Sequence, residues 1–265
     1  MPELKFCIAQ MEAVPGNPGE SLLKAEKLAE LAAGRGADII SFSEQFATGW
    51  DPDSVGFSEG ERGPVNSFIR NTARRYGIGI LGSFREKTES GIRNTAVFAD
   101  KSGEVVCRYS KIHLFSPGGE DRHYIAGDTP ASFEFMGVRF GLAICYDLRF
   151  PELFSHYQRA GCDCVIVQAA WPKARIKHWD ILTHARAIEN QYYIAGVNAT
   201  GKTSAGEYNG NSLVVSPKGE TVIRADDSEG IFCTTISLNE VKRARQDLRI
   251  LSDRREYLYI GWRNI

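Results

Sequence analysis

The stretch VRFGLAICYDLRFPELF, residues 138–154, changes character halfway along. An apolar run ends at Cys145, a polar pair follows, and Pro151 opens a segment with helical spacing. Proline suits a first helical turn, and Glu152 suits the positive end of a helix dipole. A strand running directly into a helix is the repeating unit of α/β folds. Such folds bind ligands just outside the carboxyl ends of their strands. Cys145 sits at that join, where the helix field would give a thiol thiolate character. Cysteine is also a common small core hydrophobe, so its neighbours in space must decide between the two roles.

The same alternation extends in both directions. LKFCIAQME reads as a strand, and ESLLKAEKLAELAAGRG as a helix closed by glycine. ADIISFSE is a strand, GPVNSFIRNTARRYG a helix and IGILGSFRE a strand. RNTAVFAD and GEVVCRYSKI form two more strands around the turn signal KSG. FEFMGVRFGLAIC reads as a hairpin ending at Cys145. The helix PELFSHYQRAG, the strand CDCVIVQAA, a helix around KHWDILTHARAIENQ and the strand YYIAGVNA follow. A hairpin in SLVVSPKGETVIRAD turns at Pro217-Lys218-Gly219, then come the strand GIFCTTIS and the helix LNEVKRARQDL. The tail LSDRREYLYIGWRNI has no clear period, and no linker or repeat is visible. Continuous runs such as CVIVQAA predict strands covered on both faces. Alternating helices and strands with added hairpins predict an α/β layered domain with mixed sheets. The strand count is too high for one modest sheet, which points to two packed sheets.

Among 265 residues the formal net charge is −1, which argues against a nucleic-acid surface, since tracking phosphates needs a basic excess. No apolar run approaches the roughly 18 residues of a membrane span. The start MPELKFCIAQM lacks a basic head and an apolar signal core, so a cytoplasmic location is expected. The six cysteines are too sparse for a disulfide framework. Cys162 and Cys164 form a C-x-C with no second pair to complete a zinc set, so no metal is expected. GVNATGKT, residues 196–203, fits the P-loop pattern letter for letter, but SAGEYNGNS follows it. Phosphate cradling requires a helix there, so a loop between strands is the better reading.

A thiol nucleophile needs a proton acceptor and a group to hold an oxyanion. His113, His123, His156, His178 and His184 are candidate acceptors, the last three on helices. Glu44 and Lys111 are more pointed, because each caps an apolar run at a strand end. Such charges are costly unless they meet a partner, a cavity or solvent.

Three segments in order, SFSEQFATGW, YSKIHLF and GLAICYDLRFPEL, resemble the signatures of the nitrilase, or carbon–nitrogen hydrolase, superfamily. The likeness covers nearly the whole chain, and HWDILTHARAIENQYYIAGVN is similar to the family's later helix–strand unit. Ser43 departs from the pattern, which usually has proline before the glutamate. The resemblance implies one domain over residues 1–265, folded as a four-layer αββα sandwich with two mixed central sheets. It implies a homodimer or higher homo-oligomer through a helical face, with the tail from about 249 to 265 in dimer contacts. It implies Glu44 as general base, Lys111 as oxyanion stabiliser and Cys145 as nucleophile. Glu120 and the backbone N–H of Tyr146 would support them, with no metal or organic cofactor. HLFSPGGEDRHYIAGD, CYDLRFPE and AAWP…HW resemble the omega-amidase branch, which implies short dicarboxylic monoamides such as 2-oxoglutaramate or succinamate. Arg149 would then grip the free carboxylate or pair with a neighbouring acid, and Phe46, Trp171 and Tyr146 would line the pocket. A nitrile or N-carbamoyl amino acid hydrolase with the same triad, and a non-catalytic binding protein, are the alternatives.

Overall fold

The computed structural model describes residues 2–262. Its first half runs β1 (Glu3–Gln10), α1 (Pro18–Gly34), β2 (Ile39–Phe42), α2 (Pro64–Tyr76), β3 (Gly79–Thr88), β4 (Gly91–Ala99) and β5 (Val105–Ser110). The second half runs β6 (Ser132–Phe135), β7 (Val138–Ile144), α3 (Pro151–Arg159), β8 (Cys164–Ala169), α4 (Ile176–Asn190) and β9 (Tyr193–Asn198). A small hairpin, β10 (Thr200–Thr203) and β11 (Gly206–Asn209), precedes β12 (Leu213–Val215) and β13 (Thr221–Arg224). The chain then returns as β14 (Gly230–Ser237), followed by α5 (Leu238–Asp247) and α6 (Glu256–Trp262).

The strands form two six-stranded sheets, ordered β14-β1-β2-β3-β4-β5 and β13-β12-β9-β8-β7-β6. Both follow one plan. Three parallel strands, β1-β2-β3 or β7-β8-β9, are joined by crossover helices. A hairpin extends one side antiparallel, and one antiparallel strand closes the other. Strand alternation divides the side chains between layers. Leu4, Phe6 and Ile8 of β1 pack with Leu142, Ile144, Ile166 and Val197 of the other sheet. Cys7 and Ala9 point the opposite way, onto Ala25, Ala29, Ile69 and Ala73 of α1 and α2. Val165 and Val167 of β8 do the same toward α3 and α4, meeting Leu153, Phe154 and Trp179. The layers are therefore α, β, β, α, as expected, and the strands read as unbroken apolar runs because both their faces are covered.

Local signals set the helix ends. Asn17 accepts from the Glu20 amide and Pro18 starts α1, while Gly77, at φ +64°, ends α2 in the left-handed region that glycine tolerates. Gly63 brings α2 no capping side chain. The Glu59 carboxylate, four residues before Gly63, accepts from the Val65 and Asn66 amides instead.

Three findings correct the sequence reading. The last four residues of GVNATGKT are strand β10, paired with β11 in a hairpin rather than lying in a loop, and Lys202 projects from it exposed; no helix follows, so the phosphate-binding reading stays excluded. The tail carries a helix, α6; residues 263–265 of the stretch expected in dimer contacts lie outside the described residues. Cys7 and Cys233 face each other across β1 and β14 and are joined in a disulfide, with Cα atoms 4.1 Å apart. A pairing across 226 residues leaves no local trace in the sequence.

Candidate functional site

The parallel strands of both sheets deliver their carboxyl ends to one place. Glu44 follows β2, Cys145 follows β7, and Ala170 and Trp171 follow β8. Lys111 follows β5 at the edge of the first sheet. A cavity of about 410 Å³ opens there, lined among others by Lys111, Cys145, Tyr146 and Trp171. That volume suits a small molecule.

Glu44 and Lys111 are each 1% exposed. Lys111 Nζ donates to Glu44 Oε1 and to Glu120 Oε2, both at 2.8 Å. The second Glu44 oxygen accepts from the Ala170 amide at 2.9 Å, which ties the first sheet's carboxylate to the second sheet. Asn94, from β4, donates one amide group to both carboxylates, at 2.8 and 3.1 Å. Glu120 also accepts from the Phe115 amide and from the Trp50 indole.

Burial raises the Glu44 pKa; the Lys111 charge opposes this, and the Glu120 charge adds to it. For Glu120 burial also pushes upward, but the Lys111 charge and hydrogen bond, with those from Phe115 and Asn94, carry it below the ordinary value. Lys111 is held well above its ordinary value, because the charges of Glu120 and Glu44 outweigh burial. The two carboxylates are thus pushed apart, Glu44 toward holding a proton and Glu120 toward remaining an anion.

Cys145 takes φ +48° as the first residue of a tight 3-10 turn, Cys145–Arg149, inserted between β7 and α3. A left-handed backbone at a non-glycine residue costs about 1–3 kcal/mol and persists only where its surroundings enforce it. The residue is open to the cavity on one side. The first-turn amides, that of Tyr146 among them, lie where a helix offers no acceptor of its own. The expected thiolate character is not found. Burial first, then the Glu44 charge, push the thiol well above its ordinary pKa, and Lys111 only partly offsets them. The thiol is therefore neutral at rest and needs a base. Its charged neighbours are Glu44, Lys111 and Glu120, not a histidine. His113 instead stacks on Phe150 and points Nδ1 at Asp147.

Trp171 and Tyr146 line the cavity. Arg149 lines it too, with its guanidinium 4.7 Å over the Trp171 ring and near His178 Nδ1. Phe46 does not. The left-handed turn at Gln45, φ +48°, sends it into the helix layer, where it stacks on Phe42 at 4.7 Å and meets Phe68. The sequence reading missed Asn94, Trp50, Phe115, Tyr208 and Arg175. Arg175 lies over Phe115 and, with Arg149, gives the cavity wall a second guanidinium. Trp50, in SEQFATGW, and Arg175, in the segment between AAWP and HW, lie in or beside stretches already singled out. Asn94 carries no local signal, being one polar residue in a strand.

A family model for carbon-nitrogen hydrolases matches residues 6–246. The chain is 34% identical over 252 residues to a 2-oxoglutaramate amidase of Bacillus subtilis, covering 94% of this chain and 97% of that one. It is 35% identical over 227 residues to the omega-amidase YafV of Escherichia coli K12, covering 85% and 86%. Among solved structures it matches XC1258 of Xanthomonas campestris, a CN-hydrolase superfamily protein with an arsenic adduct in its active site. The TM-score is 0.91 at 30% identity, over 96% of this chain and 98% of that one. An amidase from Nesterenkonia matches with a TM-score of 0.86 at 26% identity, over 98% and 96%. With two like-built sheets closing on one buried ammonium, its two carboxylates and a strained cysteine, and with a family match over most of its length, this chain belongs to the carbon–nitrogen hydrolase family of the nitrilase superfamily, hydrolases of carbon–nitrogen bonds other than peptide bonds.

Proposed function

We propose that the protein is a cysteine-dependent amidase that releases ammonia from the terminal amide of small aliphatic acids. The observation that carries this reading is Lys111 Nζ, 2.8 Å from both Glu44 and Glu120, lining one cavity with Cys145. Glu44 takes the thiol proton as the sulfur attacks the amide carbon. Lys111 and the Tyr146 amide receive the new oxyanion, a stabilisation worth about 3–4 kcal/mol per donor. Glu44 then protonates the departing ammonia, leaving a thioester on Cys145. Water, activated by Glu44, hydrolyses the thioester and restores the thiol. Glu120 stays ionised and balances the lysine throughout.

The substrate is an omega-amide of a short dicarboxylic acid, of the 2-oxoglutaramate or succinamate type. Arg149 holds the free carboxylate and Arg175 stands beside it. Two guanidiniums on one cavity wall suit an anion, and both curated relatives described above bear names of this activity. The protein works in the cytoplasm, as a homodimer or higher homo-oligomer. The test is an ammonia-release screen over short amides, nitriles and N-carbamoyl amino acids, run beside Cys145→Ala. Turnover of succinamate, lost in that variant, is expected. Release from nitriles or carbamoyl compounds alone would overturn the substrate class. Arg149→Lys should raise KM for succinamate on the order of tenfold, the loss of one charged fork, and leave an uncharged amide unaffected.

A further inference from the structure

Asp147 lies two residues beyond Cys145, is fully buried and does not line the cavity. Its carboxylate nevertheless gathers partners from both catalytic segments. Oδ2 accepts from the Ile144 amide at 2.9 Å and from the Tyr109 hydroxyl at 2.7 Å. Oδ1 accepts from the His113 amide at 2.9 Å, with the His113 ring Nδ1 at 2.8 Å. Ile144 is the last residue before the strained Cys145, and Tyr109 and His113 bracket Lys111. The segments belong to different sheets, β7 to one and β5 to the other, with no backbone ladder between them. A buried carboxylate is costly unless its oxygens are satisfied, and this one is satisfied by joining these two segments.

We propose that Asp147 is a positioning residue: it sets the distance and direction between the Cys145 thiol and the Lys111 ammonium, and serves the reaction through them without touching substrate. The inference rests on the assignment of Cys145 and Lys111 as the reacting pair. Asparagine in its place keeps the shape but brings a donor to a site surrounded by donors. The junction then relaxes, and near such a centre a displacement of about 1 Å costs about a hundredfold in rate.

The test uses Asp147→Asn, Tyr109→Phe and the double variant in the full chain. Each is assayed for ammonia release from succinamate and for alkylation of individual cysteines by iodoacetamide, read peptide by peptide. Asp147→Asn is expected to lower kcat about a hundredfold while KM stays within about threefold. Alkylation of Cys145 should slow about tenfold or more, with buried Cys107, Cys162 and Cys164 still unlabelled. Tyr109→Phe should give a smaller loss and add nothing in the Asp147→Asn background, since both act on one network. Wild-type kcat and alkylation in Asp147→Asn would overturn the proposal, as would additive losses. So would labelling of the three buried cysteines, which would mean that Asp147 serves only the fold. Wild-type protein that releases no ammonia would overturn the amidase reading alone, because the alkylation rates judge Asp147 without any substrate.

Discussion

Glu44 and Glu120 share the ammonium of Lys111, yet they titrate in opposite directions. Glu44, raised, must lose its proton to act as base, so the acid limb of kcat/KM should lie above the ordinary carboxylate value of 4.5; a limb at or below it would remove Glu44 from that role. The two groups also act oppositely on stability. Glu120, lowered, contributes stability above its unfolded pKa that is lost as pH falls through its folded one. Glu44 binds its proton more tightly folded than unfolded, so its contribution grows as pH falls through that window. Lys111→Met strands both carboxylates in a buried site. It should lower kcat about a hundredfold or more, and cost about 3–5 kcal/mol of stability in urea titration. Glu44 and Lys111 stood out in the sequence as charges at the ends of apolar strands, and Cys145 as a thiol at a strand–helix join, but their roles came only with the family resemblance. Asp147 and Asn94 were silent, because their meaning lies in bonds to residues 38 and 50 positions away.

Elements with strong local codes were legible. Helices α1, α2 and α3 showed apolar spacing, proline starts and nearby glycine stops, and the KSG and PKG turns fall where the chain reverses between β4 and β5 and between β12 and β13. The β10–β11 hairpin was read as a loop because its strands span only four residues each and contain Gly201 and Gly206. α6 escaped because its segment has no apolar period. α2 shows how an element can depend on a residue outside it. Glu59 supplies the cap that Gly63 lacks, so Glu59→Ala should lower stability by about 1–2 kcal/mol and leave kcat unchanged. An unaltered urea midpoint would mean that water satisfies those amides equally well.

For the whole molecule, the duplicated plan of the two sheets left no repeat in the sequence, since parallel-strand crossovers constrain polarity patterns rather than identities. Its consequence is functional: equivalent second parallel strands, β2 and β8, bring Glu44 against Ala169 and Ala170, where backbone and side chain join the sheets. We infer that residues 1–265 fold as one domain around the shared intersheet core. Ile166→Ala, at a fully buried position there, should cost about 2–5 kcal/mol. Near-ultraviolet dichroism and fluorescence should still report coincident transitions, and separate ones would split the sheets into independent units. The claim beneath all of this is that Cys145 carries the substrate's acyl group. Acid-quenching the enzyme during turnover of succinamate and weighing its peptides tests it most directly. The account predicts that the peptide containing Cys145 gains the mass of the substrate less ammonia. An unmodified Cys145 peptide, with the adduct on another residue or with turnover undiminished in Cys145→Ala, would contradict it.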